Sequence, residues 1–284
     1  MKSNKIAQDN PRFPAGLKQL AQVPKAIFWR GEAPEGLLQK PRVAIVGSRK
    51  VSPYGRSVTE QLARELAGAG VVVVSGLAIG VDSIAHRSAL QAGGQTIAVL
   101  PCGIDTIYPA SHFGLAKDIL QHNGSLLSEY DGNEKPMKHQ FIARNRLIAG
   151  LSNGVIITEA AAKSGSLHTA EFALELGVDV FAIPGNITSA NSEGTNNLLK
   201  QGAIPVTSAD DVLTALHITP QHTSQPNNLP AEQVYLLKLI KNGVVETLSL
   251  QQRSGMSPAT CSEALTLLEL AGLIQITGGK IFLQ

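Results

Sequence analysis

Six short apolar runs, none longer than a strand, limit most strongly what this chain can fold into. They are VAIVG at 43–47, VVVVS at 71–75, QTIAVL at 95–100, SLLSEY at 125–130, VIITEA at 155–160 and VFAIPG at 180–185, with AIPV at 203–206 a weaker seventh. Most are apolar on consecutive residues rather than alternating, which is what a sheet covered on both faces requires. Helix-like segments separate them. In YGRSVTEQLARELAGAG, Val58, Leu62 and Leu66 recur at helical spacing and Gly68 to Gly70 stop the helix. Strand, helix and strand repeated in this way predict an α/β fold, a doubly wound and mostly parallel sheet over residues 41–216. The 27 glycines, against seven Phe, four Tyr and one Trp, suit a chain with many tight connections.

The flanks read differently. Residues 1–40, with prolines at 11, 14, 24 and 34, read as a lead-in wrapped on the main domain. The stretch HITPQHTSQPNNLP at 217–230 has three prolines, no charge and no periodicity, and reads as a linker. Residues 231–284 then predict a separate unit: a helix ending at Gly243, a short second helix, a third beginning at Ser257 or Pro258 and stopping at Gly272, and two strands about a Gly-Gly turn. Three helices closed by a hairpin form the winged-helix pattern.

Several classes are excluded. Two cysteines, Cys102 and Cys261, far apart in sequence, make neither a disulfide framework nor a zinc cluster. The N-terminal residues lack the apolar core of a secretory signal, and the charge-free stretch from Leu66 to Val81 contains four glycines, so it reads as strands with their turns rather than a membrane span. A soluble cytoplasmic protein is expected. The near-neutral charge balance conceals two opposed parts: residues 1–56 carry 11 Lys+Arg and three Asp+Glu, and residues 57–284 carry 13 and 19. Inside the acidic part, Lys135, Lys138, Arg144 and Arg146 lie in an acid-free stretch from 135 to 146. Such a run is either a solvated helix face or a phosphate-holding one.

In a parallel sheet every strand-to-helix turn emerges at one edge, so glycine-rich turns there bring backbone N–H groups and helix N-termini to one crevice. The turns VGSRKVSPYG, SGLAIGVDS, PCGIDTIYP, EAAAKSGSLHT and PGNITSANSEGTN all qualify. With Ser48, Arg49, Ser164 and Ser166 they describe a surface suited to sugar-phosphate chains. The segment KHQFIARNRLIAGL places Phe141, Arg144, Asn145 and Ile148 along one helical face. The same spacing serves a core aromatic and a base-stacking platform flanked by cations, and spacing alone does not choose. Catalytic signals are thin. Asp82 and His86 are four apart on a helix, where they form a pair, or act as a helix cap and a packed histidine. Glu129, Glu159 and Glu171 are acids without an evident partner, and His168 sits near a helix start, placed to donate to phosphate.

These motifs together resemble the DNA-processing protein A family, DprA, also called Smf, in a short form lacking a full N-terminal SAM-like domain. GSRKVSPYG (47–55), SGLAIGVDSIAH (75–86), LPCGIDTIYP (100–109), LLSEY (126–130), FIARNRLIAGLS (141–152), KSGSLHTAEFAL (163–174) and PGNITSANSEGTNNLLKQGA (184–203) carry the likeness in order. It implies an extended Rossmann-like domain with a C-terminal winged helix. It implies, further, a homodimer that binds and protects single-stranded DNA and loads the RecA recombinase during natural transformation. Carried onto this chain, the family's DNA pocket is Gly47, Ser48, Arg49, Lys138, Phe141, Arg144 and Asn145, with the Ser164–Gly165–Ser166 turn beside it. No metal, cofactor or catalytic residue comes with it. The chain departs from the family's usual pattern at Ile79, where an arginine is common, and at His112, where an asparagine is. The alternative reading is a nucleotide or phosphoribosyl hydrolase on a related sheet, with Glu171 where its acid falls.

Overall fold

The computed structural model describes residues 3–220, 230–270 and 272–283. The chain divides into two compact units, Met1–Thr223 and Ser224–Gln284. Residues 221–229 of the expected linker lie outside the described residues.

The first unit is built on one nine-stranded sheet: β1 (Asn4–Ala7), β2 (Ala26–Gly31), β3 (Arg42–Val46), β4 (Val72–Ser75), β5 (Thr96–Val99), β6 (Ser125–Ser128), β7 (Gly154–Ile157), β8 (Asp179–Ala182) and β9 (Ile204–Pro205). Its spatial order is β1-β2-β6-β5-β4-β3-β7-β8-β9. The seven strands from β6 to β9 in that order are parallel, and they are the seven apolar runs. Alternation on β3 shows why those runs are apolar throughout. Ala44 and Val46 enter a core with Val72, Val74, Leu147 and Ile157, whereas Val43 and Ile45 enter the opposite core with Leu62, Leu66, Val73 and Phe181.

The lead-in does more than wrap the sheet. Its segment AIFWRG is β2, which pairs antiparallel with β6 from Phe28↔Ser128 to Gly31↔Ser125, and β1 pairs antiparallel with β2 to form the edge. Pro11, Pro14 and Pro24 stand between β1 and β2 and Pro34 opens the helix Pro34–Leu37 after β2, where no ladder hydrogen bond is required of them.

Chain order sets the functional geometry. From β3 the chain steps to β4, β5 and β6 on one side, then returns to place β7 against the other side of β3 and continues to β8 and β9. The turns leaving β3 and β7 therefore diverge, and the crevice between them is the topological switch point of a doubly wound sheet.

In the second unit the helices Ala231–Lys241, Thr247–Ser254 and Pro258–Leu270 precede a hairpin of β10 (Ile274–Thr277) and β11 (Lys280–Leu283). Leu236, Ile240, Leu250, Leu265, Leu268, Ile274 and Ile281 form its own core. Gly278 and Gly279 have φ of +58° and +78°, the left-handed pair that a tight hairpin turn demands.

Candidate nucleic-acid interface

The switch-point crevice has a volume of about 560 Å³. Gly47 to Lys50 line it from the turn after β3, Lys163 to Ser166 from the turn after β7, and Phe141, Arg144 and Asn145 from the helix Lys138–Gly150.

The turn after β3 is pinned at both ends by one residue. The Ser48 N–H donates to the Glu159 carbonyl at 2.7 Å. The Glu159 carboxylate, 2% exposed, accepts the Ser52 N–H at 2.9 Å and the Ser52 hydroxyl at 2.5 Å. Ser52 Oγ in turn caps the helix Pro53–Gly68 by accepting the Gly55 N–H. Gly47 has to be glycine, because a Cβ there would lie 2.8 Å from the Glu159 carbonyl oxygen and 2.8 Å from the Val81 side chain. Arg49 and Lys50 are held exposed on this short span. The N–H groups of Ser48, Lys50 and Ser52 all donate within the site, so cationic side chains, more than a row of free amides, are what this turn presents.

The opposite wall is equally fixed. Asn145 donates from Nδ2 to the Gly165 carbonyl at 3.0 Å, tying the helix to the turn after β7, and the Ser164 and Ser166 hydroxyls are 2.8 Å apart. Phe141 is half-buried and meets Tyr108 edge-on, centroids 5.4 Å apart at 74°. The Arg49 guanidinium lies 5.3 Å from the Phe141 ring centroid. Phe141 is thus at the crevice surface, between an aromatic and a cation.

Arg144 is placed differently from the other cations. It is 5% exposed, and its Nη1 donates to the carbonyls of Gly76 at 2.5 Å and Val99 at 2.6 Å, while Nε donates to Asn145 Oδ1 at 3.1 Å. Burial lowers its pKa, and the Asp82 carboxylate opposes that shift. Gly76 must lack a Cβ, which would sit 2.4 Å from the guanidinium. Arg144 therefore holds the SGLAIG turn around itself and forms part of the crevice floor. Asp82 belongs to the same arrangement: it accepts the N–H groups of Gly76 at 3.1 Å and Ala78 at 3.4 Å. It does not cap its own helix, whose N-cap is Gly80 without a side-chain bond. Burial pushes the Asp82 carboxyl up, and Arg144 with the two amides opposes this.

Lys138, the first residue of its helix, is exposed one turn before Phe141 and is not among the residues lining the crevice. Lys50, Lys163, Thr169 and Asn191 do line it and are additions to the residues expected from the sequence. Lys50 and Lys163 adjoin Arg49 and Ser164 in sequence, which is the signal that could have found them. Of the crevice-lining residues, the acid is Asp82, already engaged. At the two departures, Ile79 is 56% exposed, and buried His112 donates from Nδ1 to the carbonyl of Leu77, a residue at φ +55°.

The acids named as catalytic candidates have other occupations. Glu129 takes both its oxygens to Arg146 Nη2, at 2.8 and 2.7 Å. Glu159 is committed to Ser52, and Glu171 meets His168 at 2.8 Å on the surface. His86 is not paired with Asp82; its Nδ1 meets the Thr96 hydroxyl at 2.6 Å.

Comparison with known proteins supplies a second line. Residues 4–217 match the family described as DNA recombination-mediator protein A, and residues 219–280 match the DprA winged helix domain. Protein Smf of Escherichia coli is 39% identical over 290 residues, covering 98% of this chain and 77% of that protein. The X-ray structure of DNA processing protein A from Streptococcus pneumoniae is 42% identical with a TM-score of 0.70, covering 75% of this chain and 74% of that one. A structure of DNA processing protein A from Helicobacter pylori, solved to explain its single-stranded DNA binding mode, is 38% identical with a TM-score of 0.68, covering 76% of this chain and 96% of that one.

Proposed function

We propose a function from one premise: the chain belongs to the DNA recombination-mediator protein A family, known as DprA or Smf. On that premise it holds single-stranded DNA in the switch-point crevice, protects the strand, and passes it to the RecA recombinase during natural transformation, acting as a homodimer and not as an enzyme. The observation that carries the reading is the crevice itself. Arg49, Lys50 and Lys163 stand around a half-exposed phenylalanine, and the acid among its lining residues is buried and already hydrogen-bonded. Cations track phosphates and the ring accepts a base, which is how proteins hold single strands without reading sequence. The Helicobacter pylori relative, described by its single-stranded DNA binding, supports the ligand. The family's description as a recombination mediator supports the hand-over.

Binding of mixed-sequence oligonucleotides across a salt series tests the first step. Log affinity should fall with log salt, with a slope of about 0.7 for each phosphate neutralised. An Arg49→Ala/Lys163→Ala double variant should bind more weakly and with a shallower slope; wild-type binding indifferent to salt, or a normal double variant, overturns the reading. RecA loading onto strands already coated by single-strand-binding protein tests the second step. The hydrolase alternative places its acid at Glu171, which is exposed on the surface and is not among the residues lining the crevice. Release of base from nucleoside monophosphates, abolished by Glu171→Gln, would reverse that choice.

A further inference from the structure

Where the Ser48–Ser52 span ends, a second pocket of about 440 Å³ opens between the start of the helix Pro53–Gly68 and the turn after β8. Ser52, Tyr54, Glu159, Pro184, Asn186 and Ser192 are among its lining residues, and it shares none with the strand crevice. No lysine, arginine or histidine lines it, so a phosphate would find no cation there. Its walls are fixed without a ligand. The Tyr54 hydroxyl donates to the Pro184 carbonyl at 2.7 Å, and the Asn196 side chain engages both the N–H and the carbonyl of Gly185, at 3.1 Å each. Two buried groups of this pocket nevertheless lack a partner. The Glu159 carboxylate accepts from the N–H and hydroxyl of Ser52, both neutral, and makes no ion pair among the described residues. Ser192 is 3% exposed, and its hydroxyl, set against Gly185, has no hydrogen-bond partner among the described residues.

We propose that this pocket binds a guanidinium group, with Glu159 as its counter-ion, Tyr54 as its stacking surface and Ser192 as a further hydrogen-bond partner. The site is separate from the strand crevice and does not depend on its reading. A buried carboxylate held by neutral donors has its largest unmet interaction with a positive charge. That charge reaches the pocket wall, because burial and then Glu159 raise the pKa of the Tyr54 hydroxyl. Three arguments select a guanidinium among cations. Its planar fork of N–H donors matches a carboxylate, where an ammonium is a point charge. Its flat face packs on an aromatic ring, and the Tyr54 side chain is 48% exposed. A metal ion would have a single carboxylate here, and no group of three ligating side chains suited to a metal exists among the described residues.

The test titrates the isotope-labelled full chain with butylguanidinium, butylammonium and the neutral isostere butylurea, following backbone amide resonances. Butylguanidinium should shift Gly185, Asn186 and Ser192 and bind about tenfold or more tightly than butylurea, the factor gained when a charge-assisted hydrogen bond replaces a neutral one. Glu159→Gln should remove that preference, with melting temperature recorded to confirm the fold. Ser192→Ala and Tyr54→Leu, which keep the carboxylate, should each weaken butylguanidinium, and Tyr54→Leu should also narrow its advantage over butylammonium. A Gly-Arg-Gly tripeptide separates the two sources of the group: tighter binding than butylguanidinium assigns an arginine side chain, and weaker binding a free alkylguanidinium. The proposal is overturned if wild type shows no shift at those three residues, if butylurea or butylammonium binds as tightly, or if a folded Glu159→Gln chain keeps the preference. Should Glu159→Gln fail to fold, unchanged butylguanidinium binding by both Ser192→Ala and Tyr54→Leu overturns it equally.

Discussion

At the scale of single residues, the two arginines named for the crevice have opposite duties. Arg49 is exposed and touches the Phe141 ring, while Arg144 is enclosed by the carbonyls of Gly76 and Val99 and faces the Asp82 charge. Arg144→Ala should therefore cost folding stability, about 1–3 kcal/mol for each of the two buried carbonyls it leaves without that donor. Arg49→Ala should cost less than about 1 kcal/mol, the worth of an exposed cation–π contact, yet reduce strand binding and its salt slope. Chemical denaturation beside a binding titration separates the two, and an Arg144→Ala chain as stable as wild type would contradict the assignment. His86 gives a pH signature of its own. Burial, with His112 and Arg144 nearby, pushes its pKa from 6.5 down to about 3. Because the folded value lies below the unfolded one, the unfolded chain takes up the proton first. Stability is then unaffected above the unfolded value and falls as pH drops from 6.5 toward 3, by at most about 1.4 kcal/mol per pH unit. Denaturation midpoints at neutral and mildly acidic pH should show a smaller acid loss in His86→Gln than in wild type, and equal losses would refute the role.

At the scale of elements, the turn after β3 shows how a buried acid can order the cation-bearing loop of the proposed strand site. Glu159 lies under the loop that carries Arg49 and Lys50, where simple electrostatics would have its charge weaken phosphate binding. Its hydrogen bonds argue the reverse: carbonyl and carboxylate together fix both ends of the Ser48–Ser52 span. In Glu159→Gln an amide nitrogen faces one of the two Ser52 donors. The loss of one charge-assisted bond should destabilise the chain by about 1.5–3 kcal/mol. Strand affinity should fall several-fold with the salt slope unchanged, since no cation is removed; tighter binding by the variant would show that charge outweighs placement. This element also shows what the sequence made legible. The seven parallel strands were readable because burial on both faces forces unbroken apolar runs, and turns at one sheet edge converge whatever their sequence. β2 escaped because AIFWRG is buried over only its first three residues and stands among prolines. The burial of Arg144 escaped because helical spacing gives a face and not what lies against it. Glu159 escaped because its partner, Ser52, is 107 positions away.

At the scale of the whole molecule, charge and exposure divide the work between the two units. The crevice cations Arg49, Lys50 and Lys163 all belong to the first unit. The second has the helix order of a duplex-reading winged helix, yet its third helix, Pro258–Leu270, carries Glu263 and Glu269 and neither lysine nor arginine. Glu269 is also occupied structurally, accepting the Ile276 N–H at 2.8 Å and so joining that helix to the hairpin. An acidic helix in a major groove would repel the backbone before any base edge came within reach. The same unit exposes large apolar side chains, Leu248 at 73% and Leu270 at 79%, which suit contact with protein better than with a phosphate backbone. A fragment of residues 231–284, whose own buried core gives it the means to fold alone, should therefore bind duplex DNA no better than a non-specific site, with a dissociation constant of roughly 10⁻⁴ M or weaker at physiological salt. A chain ending at residue 220 should keep the strand affinity and salt slope of the full protein, because every crevice residue precedes that point. Circular dichroism of the fragment, followed by duplex and single-strand titrations of both pieces, decides the division. Tight, salt-sensitive duplex binding by a folded fragment would make the second unit a DNA reader, and loss of strand binding in the shortened chain would move part of the strand's path onto it.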